Sequence, residues 1–326
     1  MMIATIIGAR LGHVLFYEPE VYLANPIKIL KIWEGGLASH GASIGILVAL
    51  YLYSNFDIKM KLNADFPFLH FSSRKKKREG QSFLWVVDRI VIVVALTGCL
   101  IRLGNFMNSE IVGLPTNNDY GVVFARAAEQ VIMESNPAVE SVEAHKADGQ
   151  KELNGHPEIE LKIEFKDQNY AEKDVRGFLE GGVKRILTAY NYVTEHIYEP
   201  HNQSLNYQLE HSPNGYIATV RTYGIVRHPA QLYESISSIL IFVLLFYIWS
   251  LKKEKTPEGQ LFGVFLIVLF GLRIIYEFYK ENQVPFEDAL PLNMGQLLSI
   301  PFVLAGLFVL WKSSKGSSGN NQGTGS

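Results

Sequence analysis

Residues 84–107 read LWVVDRIVIVVALTGCLIRLGNFM. A run this long and this apolar matches the ~20 residues with which a helix crosses a hydrocarbon core, so the stretch predicts a transmembrane helix. Working outward, residues 229–250, 260–278 and 295–312 predict three more. Two shorter runs, 2–17 (MIATIIGARLGHVLFY) and 40–54 (HGASIGILVALYLYS), are read as short or tilted spans. The predicted fold class is therefore an α-helical integral membrane protein with about six transmembrane helices. Mean hydropathy over the 326 residues is only +0.09 because a long polar block dilutes the apolar runs. Thirty Lys and Arg against 32 Asp and Glu leave a net charge of −2, which excludes a basic nucleic-acid binder. The single cysteine, Cys99, excludes an intrachain disulfide and a Cys-rich metal site. In its apolar setting the thiol stays protonated, as expected of a packing residue.

The loops orient the spans. Residues 55–83 carry Arg74-Lys75-Lys76-Lys77-Arg78, residues 251–259 carry Lys252, Lys253 and Lys255, and Lys312 and Lys315 follow the last run. By the positive-inside rule these segments are cytoplasmic, and 18–39, 108–228 and 279–294 lie outside. The outer block from about 116 to 222 is too long for a loop. Alternation in Glu158–Lys166 and Tyr216–Thr222 predicts strands, and the spacing of Phe178, Val183, Ile186 and Leu187 predicts a helix within Asp174–Tyr190. The block reads as an auxiliary α+β insert that folds separately. The organisation is thus a transmembrane part at 1–115, the insert at 116–222, a second transmembrane part at 223–312, and a tail at 313–326 (SSKGSSGNNQGTGS) too polar to pack and expected to be disordered. His145, His156, His196, His201 and His211 are scattered through the insert without metal-ligand spacing.

Charged side chains within spans are costly and tend to face a cavity or a substrate path. Arg102 lies about 9 Å below the outer end of its helix at 1.5 Å per residue, with Asn105 on the same face. Arg273 lies at a similar depth, with Glu277 and Lys280 continuing its stripe. His40 opens its run from the outside, and Arg227-His228-Pro229 opens another, where a first helical turn would favour an anion. Arg102, Asn105, Glu110, Arg227, His228, Arg273, Glu277 and His40 share the outer half of the membrane although they are far apart in sequence. This pattern suggests a site for an anionic amphiphile. Asp88 and Arg89 lie near the cytoplasmic end, where snorkelling accounts for them.

Four blocks carry a resemblance: Gly8-Ala9-Arg10-Leu11-Gly12-His13, Trp33-Glu34-Gly35-Gly36-Leu37 with His40-Gly41, Arg102-Leu103-Gly104-Asn105-Phe106-Met107-Asn108-Ser109-Glu110 with Gly113, and Arg227-His228-Pro229-Ala230-Gln231-Leu232-Tyr233-Glu234. Arg273–Phe278 and Met294-Gly295-Gln296 add weaker ones. Over roughly 1–115 and 223–312 the chain resembles the bacterial phosphatidylglycerol:prolipoprotein diacylglyceryl transferases. The resemblance implies transfer of a diacylglyceryl group from phosphatidylglycerol to the lipobox cysteine thiol of a prolipoprotein, releasing glycerol 1-phosphate, with no cofactor and no metal. It implies a multi-pass protein of the bacterial inner membrane, with insert and active site toward the periplasm. Arg102 then corresponds to a headgroup ligand, Arg273 to a second cation on the phosphate, and His40 to a general base; Asn105, Glu110, Gly113, Arg227, His228, Glu234 and Glu277 join the substrate-binding set.

Departures from the family pattern are Ala42 after His40-Gly41, Leu269 in place of a tyrosine one turn before Arg273, and Lys280 in place of an arginine. The family also has a further span ahead of the Gly8–His13 block, so an in-frame apolar segment is expected upstream of Met1. Two other classes compete with the enzyme: an anionic-lipid transporter, against which no inverted repeat is evident, and an inactive truncated membrane scaffold.

Overall fold

The computed structural model describes residues 1–16, 18–62, 69–75, 80–118, 120–148, 151–166, 171–213, 215–280 and 292–319. In chain order, α1 (Met2–Phe16) and α2 (Pro19–Ala24) lead through two short 3-10 segments to α3 (Ser39–Asn55). A hairpin of β1 (Phe56–Leu62) and β2 (Leu69–Lys75) connects α3 with α4 (Phe83–Met107). Then follow β3 (Val122–Val123), α5 (Arg126–Ser135), β4 (Val139–Lys146), β5 (Glu152–Leu153), β6 (His156–Phe165), α6 (Glu172–Gly177), α7 (Lys184–Ala189), α8 (Asn191–Thr194), β7 (Ile197–Tyr198), β8 (Asn206–Ser212), β9 (Gly215–Gly224) and β10 (Val226–Arg227). The chain closes with α9 (Ala230–Lys252), α10 (Gln260–Tyr276) and α11 (Met294–Gly319). It divides into two units, one of Met1–Val94, Phe242–Val268 and Phe302–Ser326, the other of Ala95–Ile241 and Leu269–Pro301.

Four described helices are long and apolar enough to cross a membrane: Phe83–Met107, Ala230–Lys255, Gln260–Tyr279 and Gly295–Lys315. The other two expected spans are apolar helices of fewer than 18 residues, so the count of six reduces to four long helices and two short ones.

In the first unit, α1 and α3 touch backbone to backbone. A Cβ built on Gly41 would sit 2.1 Å from the Gly8 carbonyl oxygen and 2.7 Å from the Gly12 Cα, and one on Gly45 would sit 2.2 Å from the Ala4 carbonyl oxygen. Small residues four apart on both helices (Ala4, Gly8, Gly12; Gly41, Gly45) permit this approach, which supplies dispersion contact where lipid offers no hydrophobic drive. Gly41→Val is expected to separate the pair and cost about 1–3 kcal/mol. Thermal unfolding in detergent reads this out against Gly271→Ala, where a Cβ meets nothing within 4 Å; equal melting temperatures would remove the packing argument.

Arg10 fixes the connection after α1. Its guanidinium donates to the carbonyls of Lys28, Ile29, Lys31, Gly35 and Gly36 at 2.5–3.1 Å and lies over the Tyr22 ring. Asp88 corrects the snorkelling expectation. It is fully buried, and its carboxylate accepts the Gly259 and Phe262 amides at 2.7 and 2.8 Å, satisfying the free first-turn N–H groups of α10. Arg89 lies over the Trp85 ring and pairs with the exposed Glu254 at 3.6 Å.

In the second unit, β6 and β9 form the centre of an antiparallel sheet ordered β4-β6-β9-β7, with β8 also on β9 and β5 on β6. Odd-numbered β6 residues (Ile159, Leu161, Ile163, Phe165) face a core closed by Val175, Leu179, Val183, Ile186 and Leu187. The expected strands are present as His156–Phe165 and Gly215–Gly224. The expected helix is α6 and α7 joined by a π-helical turn at Phe178–Val183.

Two local differences concern polar segments. The alternation Phe56, Ile58, Met60, Leu62 is a strand signal that a plain loop reading of 55–83 passes over, and the hairpin follows it. The expected disorder of the tail does not begin at 313: α11 continues to Gly319, with Ser314 Oγ donating to the Trp311 carbonyl and Lys315 over the Trp311 ring. Residues 320–326 lie outside the described residues.

Candidate active site

Within the second unit a chain of alternating charges links α4, α9 and the end of α10. Arg102 Nε lies 2.5 Å from Glu234 Oε2, and the other Glu234 oxygen pairs with Lys280 Nζ. Lys280 reaches Glu277 at 3.7 Å, and Glu277 pairs with Arg273 Nε at 3.4 Å. Both intrahelical links follow from spacing, because three and four residues on a helix bring side chains onto one face. Three cations against two carboxylates leave one positive charge over.

Four arginines of the motif blocks, Arg10, Arg102, Arg227 and Arg273, divide into two kinds. Arg10 and Arg227 give their guanidinium donors to backbone carbonyls; Arg227, 4% exposed, binds the Glu195 carbonyl through Nε and Nη2 at 3.0 and 2.8 Å and the Gly113 carbonyl through Nη1 at 3.1 Å. Arg102 and Arg273 pair with carboxylates, the nearest contact of each running through Nε, and their Nη groups make no hydrogen bond among the described residues. Their side chains are 28% and 41% exposed, so these donors are open to a ligand.

The loop after α4 is built tightly. Ser109 and Ile111 hold positive φ (58° and 56°) on either side of Glu110, a conformation uncommon for such residues. Gln231 Nε2 donates to the Glu110 carbonyl at 2.6 Å, and the Glu110 amide donates to the Asn105 carbonyl at 2.9 Å; the Glu110 side chain is exposed. Gly113 donates to the His228 carbonyl at 2.9 Å, and a Cβ there would meet His228 Cβ and O at 2.7 Å and the Tyr279 carbonyl at 2.8 Å. Gly113→Ala is therefore expected to push this loop off α9 and α10 and to lower activity at least tenfold, because two of its clashes are with backbone that cannot rotate away. Activity within twofold of the parent in a correctly inserted variant would contradict this.

His228 lies in a ring cluster: Tyr233 OH is 3.1 Å from its Nδ1, and Tyr279 and Tyr120 pack against it at centroid distances of 5.2 and 5.9 Å. Asn293 and Gln296 cap α11 reciprocally, the Gln296 amide donating to Asn293 Oδ1 at 2.9 Å and the Asn293 amide to Gln296 Oε1 at 3.2 Å. That turn presents Gly295 to Glu277, whose carboxylate carbon would be 2.4 Å from an added Cβ. His40 lies in the first turn of α3, in the other unit, and its side chain lies outside the described residues. Cys99 packs on α9, its sulfur 3.3 Å from Ser235 Oγ.

The structure thus brings together Arg102, Glu234, Glu277 and Arg273, and sets Asn105, Glu110, Gly113, Arg227 and His228 in the loop and helix entrance of the same unit. It adds Lys280, Gln231, Tyr233, Tyr279 and Gly295. Gln231 and Tyr233 were legible inside the Arg227–Glu234 block and Gly295 inside Met294–Gln296; Tyr279 had no signal beyond its place beside Lys280.

The sequence family described as "Prolipoprotein diacylglyceryl transferase" matches residues 1–72 and 67–312. Among curated relatives, the phosphatidylglycerol–prolipoprotein diacylglyceryl transferase of Tolumonas auensis is 34% identical over 97% of this chain and 77% of its own length. Those of Chloroherpeton thalassium and Porphyromonas gingivalis are each 31% identical over 97% of this chain, covering 74% and 75% of their lengths. These alignments span the insert, so the likeness extends beyond 1–115 and 223–312. With the motif residues gathered into one charge chain and the match running through both units, the chain belongs to the prolipoprotein diacylglyceryl transferase family.

Proposed function

We propose that this chain transfers the diacylglyceryl group of phosphatidylglycerol to the cysteine thiol of a prolipoprotein lipobox at the Arg102–Glu234–Lys280–Glu277–Arg273 chain. The observation that carries the reading is the pair of arginines attached by Nε with open Nη edges, in a cluster with one excess positive charge. A phosphodiester is a monoanion and balances that excess; planar Nη edges suit two phosphate oxygens. In the reaction the thiolate sulfur forms a bond to the glyceryl carbon that carries the phosphate. The C–O bond breaks, its electrons remain on the phosphate oxygen, and glycerol 1-phosphate leaves. Its charge grows as the bond breaks, and fixed cations lower the energy of that charge. The thiol proton passes to His40, the general base in this proposal. Glu234 and Glu277 aim the arginines, and Lys280 joins the two carboxylates. Arg227 and Gly113 shape the pocket wall, and His228, Asn105 and Glu110 support it.

The site and the insert face the periplasm in this reading, in the inner membrane, as the basic segments at 74–75 and 252–255 support. Purified protein given phosphatidylglycerol and a lipobox peptide should form thioether-linked diacylglycerol; a folded protein that moves lipid between leaflets but forms no thioether would favour the transporter. For orientation, Asn154→Cys should react with an impermeant reagent in spheroplasts and Lys75→Cys should not. The opposite pattern would place the site on the inner leaflet.

A further inference from the structure

Apart from the arginine site, the second unit carries an open-sided trench of about 730 Å³, within the range of ligand pockets. Its walls include Lys146 at the end of β4, Glu152, Glu158 at the start of β6, and Asn117 and Asn118 from the segment between α4 and β3. Val226, directly before Arg227 and His228, continues the trench toward the residues described above.

Glu158 is 7% exposed, and its carboxylate has no hydrogen-bond or ion-pair partner among the described residues. The neighbouring cation on its sheet face, Arg221, is engaged with Glu160 at 3.0 Å. Its carboxylate oxygens keep contact with solvent along the trench, so a donor from outside the chain can reach them and supply the pairing that the described residues do not. Lys146 balances only one of Glu152 and Glu158, so the trench keeps one negative charge and disfavours the lipid phosphate. His145, the remaining titratable group of the wall, already lies 3.4 Å from Glu143.

We propose that the trench receives a lysine or arginine side chain of the protein acceptor, from the stretch beyond its acceptor cysteine, with Glu158 as the anchor. The inference rests on the reading above, in which a protein thiol accepts the diacylglyceryl group. It fits the expected geometry, because the apolar part of a signal peptide stays in the membrane while the chain past the cysteine emerges on the insert side.

The test uses the full chain in nanodiscs and a labelled lipobox peptide whose cysteine is replaced by serine, so that no transfer occurs. Three tails are compared, carrying lysine, norleucine or glutamate at one position past the serine. The lysine tail is expected to bind about tenfold more tightly than the norleucine tail, and Glu158→Gln should bring that ratio close to one. Equal binding of all three tails to the parent protein would overturn the proposal without reference to any variant, as would a lysine preference that survives Glu158→Gln. Transfer to the cysteine peptide is measured separately. Its failure alongside an intact, Glu158-dependent lysine preference counts against the transferase reading and supports the trench.

Discussion

Arg102→Lys should lower kcat/KM by about 100-fold or more while the protein still inserts and folds. Lysine keeps a charge that can pair with Glu234, so the helix contact survives. What is lost is the edge of two Nη groups, and a point charge already held by a carboxylate cannot reach two phosphate oxygens as well. Two charge-assisted hydrogen bonds at about 1.5–3 kcal/mol each account for a loss of that size. Single-turnover transfer with labelled phosphatidylglycerol separates binding from chemistry. Turnover within fivefold of the parent would remove Arg102 from the phosphate. Cys99→Ser, in the same helix, should change turnover little, since its neighbour is Ser235 and not the charge chain.

The second large effect is expected at Lys280. Its ammonium joins Glu234 and Glu277, so Lys280→Met leaves two carboxylates, each paired with its own arginine, and no excess charge. The cluster would then have no electrostatic preference for a monoanion, and the two arginine side chains would lose the fixed aim that their carboxylates receive. A loss of about 100-fold in kcat/KM is expected, mostly in KM for the lipid. Lys280→Arg should restore most of it, because arginine retains the charge and can reach both carboxylates. If Lys280→Met and Lys280→Arg behaved alike, the ammonium would be filling space and nothing more.

How far the sequence reaches is instructive at particular residues. The long helices are legible because a continuous apolar run has one physical explanation, whereas α1 and α3 are ambiguous by length and declare themselves through the four-residue spacing of Gly8, Gly12, Gly41 and Gly45. The strands β6 and β9 show alternation because one face is buried and the other wet. The β5–β6 hairpin had its own signal in Asn154-Gly155, both at positive φ in the structure. Arg102 and Arg273 shared a depth with Arg227, and depth alone could not divide them. What divides them is whether the guanidinium meets carbonyls or carboxylates, a property of tertiary neighbours. Asp88 shows the same limit: proximity to a helix end in sequence suggested a solvated group, while the fold uses it to hold the first turn of another helix.

Arg227 also changes how the insert can be handled in the laboratory. A freely excisable module was the natural expectation, with 116–222 replaceable by a short linker. Yet two of the guanidinium's bonds go to the carbonyl of Glu195, which lies inside that block. Trimming the block deprives a buried cation of one acceptor oxygen and of the two bonds made to it, each worth about 1.5–3 kcal/mol, just outside α9. A minimal protein would have to carry its own carbonyl donor-acceptor match at that point, by keeping the α8–β7 turn or by replacing Arg227 together with the insert. Transplanting foreign domains between α4 and α9 should therefore succeed according to whether they present one backbone oxygen at this place, irrespective of their size.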